Sequence, residues 1–288
     1  MQWFRWEPER HRAFDTEFYL ALMNEVRQKM RDGTAHPSMA SYGLEKQEEF
    51  GLSDEAAAYT LSAPWAAGVD TTSSAIEIFL MTMLLFPAVM RRAQQELDDV
   101  VGHDRLPNFQ GMGKLPYIEA LIKEVTRWRC VAPLGIPHAA MENDMYNSMF
   151  IPRGSTVYGN IFAMTRDESL FTEPDQFRPE RFLNTSDPLF VNFTIPFGFG
   201  RRQCPGMHVA LQTMFIVVTR ILWAFNIHPP LDDEGNPVLP DSDSAFTGGA
   251  VVMTPTEFKC LFEARSDSTA EMLIQEAEKA EGELGRWA

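Results

Sequence analysis

Apolar residues recur at every fourth position early in the chain, at Phe14, Phe18, Leu22, Val26 and Met30. That spacing predicts a helix over residues 9–31, ended at Asp32–Gly33 and followed by a polar loop to about Gly51. Ser53 then has the character of an N-cap, with Asp54 and Glu55 where a helix dipole favours acid. The helical pattern runs on to Phe86 and stops at Pro87, roughly 50 Å at about 1.5 Å per residue. Its middle is poor in helix formers: Pro64, Gly68, Thr71, Thr72, Ser73 and Ser74. Pro64 alone costs about 3 kcal/mol unless the helix bends there. A long helix weakened at its centre predicts that something else uses that centre.

Pro87 can open a further helix that ends at Gly102. Ile118, Leu121, Ile122 and Val125 then lie at i, i+3, i+4 and i+7, the mark of an amphipathic helix. After Pro133 the period shortens, and residues 144–160 predict two strands around an Ile151–Gly154 turn. Phe177–Phe182 is extended and broken by proline. From about Gly206 to Ala224 the pattern is helical and apolar nearly all round, so that helix is buried. Residues 226–263 mix turns with short strand candidates, and the acidic stretch from Arg265 predicts a frayed helix or disorder. The fold class is mainly α with a small β region, and no internal repeat is present.

Composition narrows the function. The 288 residues are 45% hydrophobic, enough for one large domain or two small ones. A net charge of −15 argues against a phosphate-binding face, so no nucleic-acid partner is expected. The 3 cysteines are widely spaced without a CxxC, which disfavours a disulfide framework or a zinc site. Cys130 and Cys260 are expected to be small buried hydrophobes. The N-terminus has no apolar core of a signal peptide. The longest apolar run, Ala75–Val89, contains Glu77 and Pro87 and falls short of the ~20 residues of a membrane span. The expectation is a chain without a transmembrane segment, cytoplasmic as it stands.

Cys204 is different. It lies in "PFGFGRRQCPG", between glycines and two arginines. One reading is a nucleophile with His208 as its base; it leaves Gly198, Gly200 and Gly206 unexplained. A second is a buried cysteine in a tight loop. A third is an axial thiolate for haem iron. A flat macrocycle needs backbone that approaches closely, which the glycines allow. The thiolate needs amides, which the following helix offers, with Pro205 where no N–H is required. Arg202 suits a haem propionate.

Phe197, Gly200, Arg202, Cys204 and Gly206 satisfy F-x-x-G-x-R-x-C-x-G, and so the stretch resembles the haem loop of the cytochrome P-450 superfamily. "AAGVDTT" resembles the long helix that crosses the haem in that family, covering Ala67, Gly68, Asp70, Thr71 and Thr72. The Thr71 hydroxyl can compete for the Ala67 carbonyl and open the helix. The resemblance implies that Thr71 and Asp70 deliver protons to dioxygen. "KEVTR" and "FRPERF" resemble the family's buried triad, here Glu124, Arg127 and Arg181, with a structural role. By the same resemblance Phe197, Gly198, Gly206 and His138 bind the cofactor, His138 through a propionate. Ala67, Pro133, Leu134, Ile136, Phe246 and Thr247 then line the substrate pocket.

The resemblance covers nearly the whole chain but the C-terminal half of the family's pattern, with residues 1–264 as a partial cytochrome P-450 domain and 265–288 as a polar tail. Ser148 stands where a Gly is usual and Phe162 where a Trp is usual. The wording of the motifs looks like the fungal microsomal group that oxidises secondary metabolites. What this implies is a haem b monooxygenase acting with O2 on an apolar small molecule such as a terpenoid or polyketide. Its electrons come from NADPH through NADPH–cytochrome P-450 reductase, and a full-length relative sits on the endoplasmic reticulum membrane. Two alternatives stand beside it: a haem-thiolate isomerase or dehydratase without external electrons, and a catalytically inactive truncated product.

Overall fold

The structure is a computed structural model that describes residues 3–242, 246–247 and 251–285. The chain forms two compact units, residues 1–69 with 281–288, and residues 70–280.

The first unit holds α1 (Trp3–Arg31), α2 (Met39–Glu45) and the start of α3 (Asp54–Leu85). Helix α1 begins before its apolar stripe, and the stripe is packed only in its second half, where Leu22, Val26 and Met30 are half-buried. Phe14 and Phe18 are 67% and 40% exposed, whereas Met23 is buried. The packed side is set by Thr16, whose hydroxyl lies 2.9 Å from that of Tyr59, and by Tyr19, edge-on to the Tyr59 ring. Helix α2 sits inside the expected polar loop. Ser38 and Ser41 cap it reciprocally, a capping box with Ser where Glu or Gln is usual. Ser53 accepts the Ala56 amide at 3.2 Å, as its capping role predicts.

The second unit begins with the rest of α3 and continues through α4 (Pro87–Val100), α5 (Pro116–Trp128), α6 (Ile161–Met164), α7 (Pro188–Val191), α8 (Met207–Ala224) and most of α9 (Asp267–Leu284). Its core is helical. Ile78, Phe79 and Met83 of α3 pack with Leu97 of α4, Ile118, Leu121 and Val125 of α5, and Phe215, Val218 and Leu222 of α8. The sequence stripe of α5 is therefore its buried face. Helices α3 and α8 are long and apolar enough to cross a membrane by length and composition. Within this unit α3 is buried at Ile78, Phe79, Met81 and Met83 and α8 from Met214 onward, whereas the start of α8, expected to be buried, is open, with Val209 exposed. The stretch from Arg265 forms α9, where Ser266 accepts the Thr269 amide at 3.1 Å and Met272 and Leu273 lie on the core.

The strands are short antiparallel pairs. They are β1 (His138–Ala139) with β4 (Thr156–Val157), and β2 (Asp144–Tyr146) with β3 (Met149–Ile151). Further along, β5 (Phe225–His228) pairs with β8 (Leu261–Ala264), and β6 (Phe246–Thr247) with β7 (Thr254–Pro255). The expected two strands around Ile151–Gly154 are divided differently. The Pro152–Gly154 turn is present, with Ser155 N–H on the Pro152 carbonyl, but the strands it joins pair with other partners. The tight hairpin turn is Asn147–Ser148, with φ +46° and +67°. Two successive positive φ values make a primed turn, with Ser148 at the position where a Gly is usual.

Candidate functional site

The Cys204 loop is built by two short 3₁₀ turns, Ile195–Phe197 and Gly200–Arg202, followed by α8. Gly198 takes φ +79° and ψ −164°, a region essentially closed to residues with a Cβ. Gly200 has φ +58°. These two glycines bring the chain back on itself, and the Cys204 amide closes the loop on the Phe197 carbonyl at 2.8 Å. Gly206 has an ordinary φ of −85°. A Cβ there would lie 3.9 Å from Cys204 Sγ, so its missing side chain leaves one flank of the sulfur open.

Cys204 is exposed. Helix α8 starts just beyond it without a side-chain cap, and its first amide, Met207 N–H, donates to the Cys204 carbonyl at 3.4 Å. Among the described residues, Arg201 and Arg202 have no carboxylate partner, and no hydrogen bond joins Cys204 to His208. The nucleophile–base pairing therefore has no geometry behind it.

Behind the loop lies a buried ionic network. Glu124 and Arg127, one turn apart on α5, are both fully buried. Arg127 donates from Nε to Glu124 Oε2 at 2.7 Å and from Nη2 to Oε1 at 2.9 Å, a bidentate pair. Arg181 Nε donates to Oε1 at 3.1 Å, and the Arg178 amide does so at 2.7 Å. The remaining guanidinium donors go to main-chain carbonyls. Arg127 holds Thr165 and Pro174 at 2.8 and 2.7 Å, and Arg181 holds Thr172 and Gln176 at 3.0 and 3.1 Å. Burial holds the Arg181 pKa below the usual arginine value, and the Glu124 charge offsets only part of that. The network thus fixes an irregular segment, residues 165–178. Phe171 and Phe182 from its neighbourhood pack on Phe193 with centroids 6.0 and 5.1 Å apart. Phe193 and Ile195, in the same cluster, lead directly into the cysteine loop.

At the centre of α3, Asp70 is exposed and Thr71 and Thr72 are half-buried. Ala67 and Gly68 are exposed. The hydroxyls of Ser73 and Ser74 both donate to the Asp70 carbonyl, at 3.0 and 2.7 Å. Two such bonds loosen the backbone ladder at that point. Phe246 lies against the core with the Arg129 guanidinium 5.8 Å from its ring. Thr247 faces Thr254 across β6–β7. Pro133 and Leu134 are half-buried, with the Pro133 carbonyl accepting the Phe162 amide at 2.9 Å. Ile136 and His138 are exposed, His138 opposite Val157.

An accessible thiol on a closed glycine loop, beside an uncapped helix start and two guanidiniums with no carboxylate partner among the described residues, fits a thiolate-bound haem. Cys204 would hold the iron and Arg202 a propionate. The cytochrome P-450 family model matches residues 3–262, and the chain belongs to that family. Cytochrome P-450 monooxygenase 58 of Postia placenta is 41% identical over 278 residues, which are 94% of this chain and 52% of that protein. A cytochrome P-450 monooxygenase of Armillaria gallica is 37% identical over 273 residues, 92% of this chain and 53% of its own length. A solved zebra fish cytochrome P-450 with abiraterone matches 75% of this chain and 50% of its own, at 32% identity and a TM-score of 0.66. The chain spans about half the length of the curated relatives it matches.

Proposed function

We propose that this chain carries the haem-thiolate side of a monooxygenase that inserts one atom of O2 into an apolar small molecule and reduces the other to water. Residues 1–264 are its share of the cytochrome P-450 domain, and 265–288 its tail. Bound haem b supplies the oxygen-activating chemistry. Cys204 ligates the iron, with the first amides of α8 supporting its charge. Phe197, Gly198 and Gly206 shape the face against the macrocycle, and Arg202 and His138 take its propionates. Asp70 and Thr71 move protons to the dioxygen side. Ala67, Pro133, Leu134, Ile136, Phe246 and Thr247 line the substrate space.

Glu124, Arg127 and Arg181 hold the loop without touching reactants. Electrons reach the site from NADPH through NADPH–cytochrome P-450 reductase. The whole protein works at the endoplasmic reticulum membrane on a fungal secondary metabolite such as a terpenoid or polyketide, a reading supported by fungal relatives.

The observation that carries this reading is the exposed Cys204 at the closure of its glycine loop. The whole protein, reduced under carbon monoxide, is expected to show the red-shifted Soret band of thiolate ligation. Cys204→Ser is expected to lose it. A Cys204→Ser variant that keeps the band, or a Cys130→Ser variant that loses it, moves the ligand elsewhere.

A further inference from the structure

Ser74 and Thr254 have no place in the roles above, yet they meet. Ser74 is buried on α3, three residues after Thr71. Its hydroxyl donates to the Asp70 carbonyl at 2.7 Å and lies 2.8 Å from Thr254 Oγ1. A serine hydroxyl carries one proton. With that proton on the Asp70 carbonyl, the second bond runs the other way, and Thr254 donates to Ser74. Thr254 stands on β7 directly opposite Thr247 of β6, beside Phe246. A short relay therefore links the Asp70 carbonyl to the strand pair that carries Phe246 and Thr247.

Two other contacts tie the same region to the end of α5 and the segment after it. The Met253 amide donates to the Val131 carbonyl at 2.7 Å. Arg129 holds the Ser242 carbonyl through Nε and Nη2 at 3.1 and 2.8 Å, and its guanidinium lies 5.8 Å from the Phe246 ring. Those contacts hold the strand pair to the Pro133 side. The Ser74–Thr254 bond holds it to α3.

We propose that the Ser74–Thr254 hydroxyl pair is a positioning device: it sets where Phe246 and Thr247 stand relative to Asp70 and Thr71, and so the width of the apolar space offered to a ligand. The specificity role rests on the haem-site reading above; the clamp itself does not. Neither residue touches reacting atoms. Thr254→Val keeps the shape of the side chain and removes its proton, and Ser74 keeps its bond to Asp70. The relay is cut at one point. Thr254→Ser keeps the donor and should restore it.

The test uses the whole protein loaded with haem. Amide exchange of residues 251–255 is followed by mass spectrometry. Binding of two iron-ligating azoles, imidazole and the bulky clotrimazole, is followed by the Soret shift. Thr254→Val is expected to speed exchange in that segment by about five-fold, the size of one net hydrogen bond. It is expected to change the clotrimazole Kd by a similar factor and leave the imidazole Kd alone, and Thr254→Ser should reverse both. Ser74→Ala, which also gives up the Asp70 bond, should speed exchange in residues 251–255 as Thr254→Val does, and the double variant should add little there to Ser74→Ala.

Unchanged exchange in Thr254→Val overturns the clamp. Faster exchange with an unchanged ratio of the two azole affinities leaves a merely structural bond and overturns the specificity role. If the wild-type protein gives no azole shift at all, the haem reading fails and takes the specificity role with it, while exchange still decides the clamp.

Discussion

At Gly198 the chain takes φ +79° and ψ −164°, while a Cβ there would meet nothing closer than the Arg202 carbonyl at 4.0 Å. The constraint is conformational and not steric. Gly198→Ala is expected to strain the loop by about 1–3 kcal/mol. Gly206→Ala adds ordinary contact with Cys204 Sγ and no backbone strain. The two variants should therefore separate: Gly198→Ala lowers the melting temperature of the haem-free protein, and Gly206→Ala leaves it and disturbs haem loading. Equal melting losses would contradict this division.

The cysteines separate as well. Burial pushes the Cys130 thiol up to about 11, with the Arg166 charge opposing it. Below that value Cys130 stays protonated, and its burial also keeps reagents away. At about pH 8, iodoacetamide is expected to modify exposed Cys204 and spare Cys130, and bound haem should protect Cys204, as peptide mapping would show. Alkylation of Cys204 at the same rate with haem bound would place the cofactor elsewhere. The Cys204 loop was legible because its chemistry lies in neighbouring residues. The Ser74–Thr254 pair was not, since its partners are 180 residues apart and the weak helix centre that contains Ser74 does not point to Thr254.

The α5 helix shows how one element passes rigidity to another. Its apolar stripe and the Glu124–Arg127 spacing were both evident from the sequence, because helical period fixes which residues share a face. The carbonyls that Arg127 and Arg181 hold were not, because residues 165–178 follow no period. The same reason hid the Asn147–Ser148 turn and the Ser38–Ser41 cap, where serine does work that glycine or glutamate usually signals. Removing Glu124 leaves two guanidiniums buried without their shared carboxylate. Such a loss typically costs about 3–5 kcal/mol, against a net domain stability of about 5–15 kcal/mol. Glu124→Ala is accordingly expected to yield little haem-loaded protein, measured by the Soret absorbance per polypeptide. Normal loading with slow turnover would make Glu124 a participant in the reaction. On the proposed reading, Thr71→Ala in the whole protein is expected to do the reverse: to keep haem and NADPH consumption but release more hydrogen peroxide per product. Unchanged coupling would remove Thr71 from proton delivery.

For the polypeptide as a whole, two opposing terms decide its behaviour in solution. The net charge of −15 keeps copies apart. Exposed apolar side chains draw them together. On the β2–β3 hairpin Met145, Tyr146, Met149 and Phe150 are about 60% exposed. In the first unit Phe18 stacks beside Phe14 and tilts against Trp65, and all three rings are exposed. Burying one such side chain fully is worth about 1.5–3 kcal/mol, so even partial cover of the hairpin's four residues contributes several kcal/mol. Charge repulsion between exposed groups is screened beyond about 8 Å at physiological salt. At that ionic strength the apolar attraction is opposed by repulsion only at short range, and as salt is removed the repulsion reaches further. A polypeptide of residues 1–288 is expected to self-associate in about 0.15 M salt, more so as salt rises, and to approach a monomer at about 0.01 M. Light scattering after size exclusion measures this directly. Tyr146→Lys with Phe150→Glu is expected to shift the balance toward monomer at every salt concentration. Association that falls as salt rises would mean that ion pairs drive it, and a monodisperse monomer throughout would mean that these apolar side chains do not attract one another strongly enough to matter.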